Sequence, residues 1–182
     1  MKRLYFKFFL IFSLTLSLSH SVEAQIYDPV TWDFSYEKTG ENQYDLIFKA
    51  LVEEGSHIYA MDIPAGGPIP TSFSYDTTGL FMFSGSTFEV TSPEEVFDEA
   101  FGFKIKSFSH NAEFRQKITG LSPSFEVTGV VNYMSCNNTT CSPPKDVDFA
   151  ITIGDSAENK AVFNEGPGGK TSTEASDNKG LL

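Results

Sequence analysis

Between Gln25 and about Gly154, apolar and polar residues alternate with a period of two in short runs separated by turn residues. Trp32, Phe34 and Tyr36 alternate with Asp33 and Ser35. Tyr44, Leu46, Phe48 and Ala50 alternate with Asp45, Ile47, Lys49 and Leu51, and Phe114, Gln116 and Ile118 keep the same period. Phe125, Val127, Gly129, Val131 and Tyr133 make the longest row, and Val147, Phe149 and Ile151 alternate with Asp148, Ala150 and Thr152. Such a pattern buries one face of a strand and wets the other, as in antiparallel sheets. The 18 Phe and 7 Tyr suit a pleated surface.

Turn chemistry punctuates the rows. Lys38-Thr39-Gly40-Glu41-Asn42 predicts a hairpin turn, and the segment Pro64-Ala65-Gly66-Gly67-Pro68-Ile69-Pro70 excludes helix and central strand. Ser107 to Asn111 predicts another chain reversal, and Ser92-Pro93-Glu94-Glu95-Val96-Phe97 the start of a short helical turn. No stretch is convincingly amphipathic at helical spacing. Roughly seven to ten short strands with turns at this spacing predict an all-β domain, an immunoglobulin-like antiparallel β-sandwich over residues 25–154. A unit of about 130 residues buries roughly two-thirds of its unfolded surface, so its core needs no staple.

The two ends differ from the middle. Met1-Lys2-Arg3 is basic, Leu4 to Leu18 is almost wholly apolar, and Val22-Glu23-Ala24 is a small-x-small pattern before Gln25. Residues 1–24 therefore read as a secretory signal peptide, with an uncleaved N-terminal anchor as the alternative. The apolar run falls short of the ~20 residues of a membrane span. Without those residues the chain carries 10 basic and 23 acidic side chains, a net charge of −13. That balance repels nucleic acid and anionic lipid, and leaves room for a partner with a basic face. Residues 155–182 are rich in Gly, Ser, Thr, Asn, Lys and Glu and read as a flexible linker or tail. The expectation is that a longer protein continues past Leu182, into a membrane segment.

Export places the only two cysteines, Cys136 and Cys141, where disulfides persist, and any intramolecular bond must join them. They flank four polar turn residues just after the row ending at Tyr133-Met134, a position at or near a hairpin end. One reading is a staple. Against it, closing six residues stabilises by only about 2 kcal/mol in the chain-entropy model, where a hundred-residue loop gives about 4.7. The other reading is a working pair, since a short exposed loop is open to thiolate attack. Pro143 and Pro144 would stiffen the exit. No Lys, Arg or His adjoins either cysteine closely, the nearest being Lys145, so nothing marks a strongly activated thiolate.

Several segments together resemble the N-terminal periplasmic domain of the DsbD family of inner-membrane thiol:disulfide interchange proteins. They are Trp32-Asp33-Phe34-Ser35, Glu54-Gly55-Ser56-His57-Ile58-Tyr59, Gly66 to Phe73, and Val131-Asn132-Tyr133-Met134-Ser135-Cys136 through Cys141-Ser142-Pro143-Pro144. The resemblance spans roughly residues 26–153, and Tyr-x-x-Cys-x4-Cys-x-Pro-Pro is its most specific part. It implies an immunoglobulin-like fold with the cysteine pair at one end, and a protein-disulfide reductase role as a relay domain that is incomplete alone. Reducing equivalents would arrive from the membrane domain through a thioredoxin-like domain of the same relay. They would leave to periplasmic disulfide isomerases or to thioredoxin-like proteins of cytochrome c maturation. The resemblance implies that Cys141 forms the mixed disulfide with each partner and that Cys136 resolves it. It also implies a cap loop, here Glu94 to Gly102, whose aromatic covers the cysteines; Phe101 is the first choice and Phe97 the second. Tyr59 resembles the aromatic beside the disulfide, and Tyr133 leads into the motif; core packing is the competing explanation for Phe101 and Phe97, and ordinary strand packing for Tyr59 and Tyr133. One departure is the four residues between the cysteines, where some family members have five.

No cofactor is implied. His57 and His110, the histidines outside the leader, have no metal-ligand spacing, and there is no nucleophile elbow or phosphate-binding glycine loop. The alternative function is a non-enzymatic exported immunoglobulin-like binding module with a structural disulfide.

Overall fold

A computed structural model describes residues 28–98, 101–137 and 139–154. The leader expected over 1–24 and the tail over 155–182 lie outside the described residues. Twelve strands and no helix occur among the described residues. In chain order they are β1 (Val30–Gly40), β2 (Gln43–Val52), β3 (Ser56–Tyr59), β4 (Ser72–Tyr75), β5 (Phe81–Phe83), β6 (Phe88–Glu89), β7 (Glu94–Asp98), β8 (Phe103–Phe108), β9 (Asn111–Gly120), β10 (Phe125–Tyr133), β11 (Ser135–Asn137) and β12 (Lys145–Ile153).

The alternating rows become the long strands. β1, β2 and β9 lie side by side with β5 and β6 along the far edge of β9, and β12, β10 and β4 form a second sheet. Every pairing is antiparallel. The inward faces meet in one core: Phe34 and Phe48 of the first sheet pack on Phe149 of the second at 5.5 and 5.0 Å between ring centroids, and Phe73 of β4 lies 4.8 Å from Phe48. This is the expected immunoglobulin-like antiparallel sandwich. The hairpin at Glu41-Asn42 also forms as read, with Asn42 taking the left-handed conformation at φ 56°.

Gly129 shows how tightly the second sheet is fitted. A Cβ there would lie 2.1 Å from the Ser74 carbonyl oxygen on β4 and 2.6 Å from the Phe149 ring on β12. Phe149 is its cross-strand partner and covers the bare backbone.

A smaller sheet, in the order β11-β3-β8-β7, carries the cysteines. Three of its strands adjoin long ones in sequence: β3 follows β2, β8 precedes β9, and β11 follows β10. Ser109 and His110 therefore close no hairpin, contrary to the predicted reversal. β8 and β9 lie in different sheets, Phe108 is buried against Phe114, and the His110 carbonyl accepts from the Val52 amide at 2.8 Å. The predicted helical turn after Ser92 is also replaced. Glu94–Asp98 is β7, paired along its whole length with β8. Pairing with a neighbouring strand overrides the local preference of Pro and Glu for a first helical turn.

The second sheet ends at the pair Tyr133–Lys145. Beyond it, two residues (Met134, Ser135) lead to Cys136, while three (Ser142, Pro143, Pro144) separate Lys145 from Cys141. Neither proline has an amide hydrogen to donate, so the ladder breaks there. β11 instead pairs with β3, and the cysteine hairpin leaves the sandwich for the small sheet.

Candidate functional site

Cys136 and Cys141 face each other as an isolated antiparallel bridge, with Cα atoms 4.0 Å apart, and their sulfurs are bonded. The flanking residues hold the pair: the Asn137 amide donates to the Thr140 carbonyl at 2.9 Å and the Ser142 amide to the Ser135 carbonyl at 2.8 Å. The cysteines therefore occupy a non-hydrogen-bonded position, where opposing residues approach most closely. The Asn137 side-chain oxygen accepts from the amides of Thr139 and Thr140, both at 2.9 Å, and shapes the turn. The Ser135 and Ser142 hydroxyls meet at 3.0 Å below it.

The two cysteines differ in exposure. Cys136 is 3% exposed and packs in a small apolar cluster with Tyr59, Ile105 and Met134, whereas Cys141 is exposed. A shallow groove of about 690 Å³ runs over the pair, lined by His57, Tyr59, Phe97 and Asp98 as well as both cysteines.

Register explains which side chains share this face. Cys136 pairs with His57 across β11 and β3, and Tyr59, two residues on, pairs with Ser107 of β8. Side chains two apart on a strand point the same way. Tyr59, 1% exposed, lies with its hydroxyl 3.1 Å from Cys136 Sγ, 3.2 Å from Asp98 Oδ2 and 3.2 Å from His57 Nε2. Burial pushes the Tyr59 phenol up, and the Asp98 charge and hydrogen bond add to it. Burial holds His57 below its ordinary value, with Asp98 pulling the other way. Asp98 also closes the turn after β7: its carbonyl accepts from the Gly102 amide at 2.8 Å and its Oδ1 from the Phe101 amide at 3.3 Å.

The sequence-predicted rings separate into different places. Tyr59 touches the disulfide. Phe101 is half-buried against the cluster that contains Cys136, and Phe97, 58% exposed, stands on the rim of the groove. Tyr133 lies in the sandwich core against Trp32 at 5.5 Å, its hydroxyl donating to Asp28 at 2.6 Å. Sequence reasoning gave His57 no role beyond a weighed metal ligand and a place in the resembling segment, and met Asp98 only inside the cap loop. The period-two spacing of His57 and Tyr59 was a signal that they share a face, but only the register brings that face to Cys136.

Residues 23–153 match the family model described as thiol:disulfide interchange protein DsbD, N-terminal. The chain belongs to the DsbD N-terminal family. Membership makes it a thiol–disulfide exchange domain, and Cys136 and Cys141 are its only two cysteines. Among solved structures, the reduced DsbD N-terminal domain of Neisseria meningitidis is similar at 18% identity, with a TM-score of 0.47, covering 72% of this chain and 90% of that one. The complex between the DsbD N-terminal and PilB N-terminal domains of the same organism is similar at 15% identity, with a TM-score of 0.47, covering 69% and 87%. No curated protein matches the chain in sequence.

Proposed function

We propose that this domain is a periplasmic protein-disulfide reductase module. It takes reducing equivalents from a thioredoxin-like domain of a membrane relay and passes them to periplasmic disulfide isomerases or to thioredoxin-like proteins of cytochrome c maturation. In this reading residues 1–24 direct export, and residues 155–182 link the domain to an inner-membrane segment of a longer protein. The unequal exposure of the two bonded cysteines carries the assignment of roles. A partner's sulfur can reach Cys141, while Cys136 is covered by its own cluster. In the reduced domain the Cys141 thiolate attacks the partner disulfide and a mixed disulfide forms. Cys136 then attacks Cys141 Sγ, the partner leaves as a thiolate, and two electrons have passed to it. Phe101 serves as the cap, supported by its packing against the Cys136 cluster, with Phe97 the second candidate on the rim. Tyr59 is the aromatic beside the disulfide, and Tyr133 anchors the end of β10 in the core.

Cys136→Ala should trap a mixed disulfide through Cys141 with an oxidised thioredoxin-like protein, visible on a non-reducing gel. If the double variant Cys136→Ala/Cys141→Ala still passes electrons to that protein as fast as the wild type, the reading fails.

A further inference from the structure

Resolution of the mixed disulfide poses a proton problem. Cys136 must lose a proton before it can attack, yet it is 3% exposed. Its sulfur contacts the Tyr59 hydroxyl at 3.1 Å, and that hydroxyl has two further neighbours, Asp98 Oδ2 and His57 Nε2, each at 3.2 Å. The hydroxyl has one hydrogen and can rotate it between acceptors. His57 sits directly opposite Cys136 in the β11–β3 register, its ring edge-on to Tyr59 at 5.1 Å, and it is partly exposed at the groove.

We infer that His57 is the proton acceptor for Cys136, acting through the Tyr59 hydroxyl, when Cys136 resolves the mixed disulfide. This rests on the relay reading above. Three features favour the imidazole over the carboxylate. An acceptor works best when its pKa lies near the working pH, and an ordinary imidazole at about 6.5 is much closer to a thiol than an ordinary carboxylate at about 4. Burial favours the neutral form of His57, and its Nδ1–H tautomer would offer an Nε2 lone pair to the Tyr59 hydroxyl. Asp98 is also engaged through Oδ1 and its carbonyl in closing the turn after β7, which suits it to orient Tyr59. Among the described residues, Asp98 is the charged group of the groove lining; Tyr59 and Cys136 are the titratable groups facing His57, β8 contributes Ser107, and Ser109 follows it.

The step balances. The Cys136 S–H proton passes to the Tyr59 oxygen as the Tyr59 O–H proton passes to His57 Nε2. The Cys136 electron pair forms the Cys136–Cys141 bond, and the bond between Cys141 and the partner breaks with its electrons leaving on the partner thiolate. Imidazolium then sheds its proton into the groove.

The test uses the reduced full chain and the chromogenic disulfide dithionitrobenzoate, followed by stopped flow. Attack by Cys141 releases the first coloured thiolate, and resolution by Cys136 releases the second. In the wild type the second phase should level off once His57 is neutral and fall at lower pH, below the ordinary imidazole range, as His57 becomes protonated. In His57→Gln the first phase should be unchanged. The second should be about tenfold slower or more at pH 7 and should rise steadily with hydroxide, without the plateau. Tyr59→Phe, which removes only the bridging oxygen, should give the same profile, and the double variant should be no slower. A wild-type profile in His57→Gln overturns the inference, as does loss of the plateau in Asp98→Asn alone. If Cys136→Ala shows no first phase, the relay reading itself has failed and this inference falls with it.

Discussion

Reducing the Cys136–Cys141 bond should lower the stability of the domain by about 2 kcal/mol or less. The bond closes a loop of six residues, and the chain-entropy model assigns such a loop only about 2 kcal/mol. The hydrogen bonds Asn137–Thr140 and Ser142–Ser135 and the pairing of β11 with β3 do not involve sulfur, so the hairpin keeps its frame after reduction. A free Cys136 remains a small apolar side chain among Tyr59, Ile105 and Met134, and adds no polar burial penalty. By comparison, truncating fully buried Phe48 to Ala should cost about 3–5 kcal/mol. Trp32, the single tryptophan, is buried among Phe34, Phe73, Phe114 and Tyr133 and reports on the core. Urea titrations of the oxidised and reduced protein, followed by its fluorescence, give the difference directly. A loss of about 4 kcal/mol or more, or a reduced domain that does not fold, would refute the argument and make the bond a staple.

Gly129→Ala should destabilise by about 3 kcal/mol, the upper end for overpacking, because its Cβ meets the β4 backbone as well as Phe149; an unchanged urea midpoint would show that β4 does not lie where described. Burial raises the phenols of Tyr59, Tyr75 and Tyr133 well above the usual 10.0. Above pH 10 the unfolded chain loses these protons while the folded one keeps them. Stability should therefore hold to about pH 10 and then fall by about 1.4 kcal/mol per pH unit for each such tyrosine. A urea midpoint that stays level through about pH 11 would contradict this. Phe101→Ala should speed reduction of the disulfide by dithiothreitol severalfold, with little effect from Phe97→Ala; the reverse order would move the cap to Phe97.

The long strands were legible because each buries one face. The rows at Trp32, Tyr44, Phe114, Phe125 and Val147 all became strands whose apolar positions line the core. β7 was not legible, because Glu94, Glu95, Val96 and Phe97 are all exposed and no alternation is imposed on them. Short strands such as β5, β6 and β11 are two or three residues long and carry no period of their own. The cysteine hairpin could be placed from its turn residues, but its transfer to another sheet depends on β3, nearly eighty residues earlier by the separation of Tyr59 and Cys136. His57 and Asp98 were hidden for the same reason. Each gains its meaning from a strand pairing that the local sequence does not state.

The break at Pro143-Pro144 has a consequence for how such a chain can vary. Register in the β10–β12 ladder is fixed through Tyr133–Lys145, and a slip of one residue would turn every core side chain of β12 outward. An extra residue inserted between Cys136 and Cys141 falls beyond that boundary. The prolines have already released the two strands from one another, so the added length is absorbed in the turn. The redox loop can therefore change its length, and with it its chemistry, while the sandwich behind it keeps the same core.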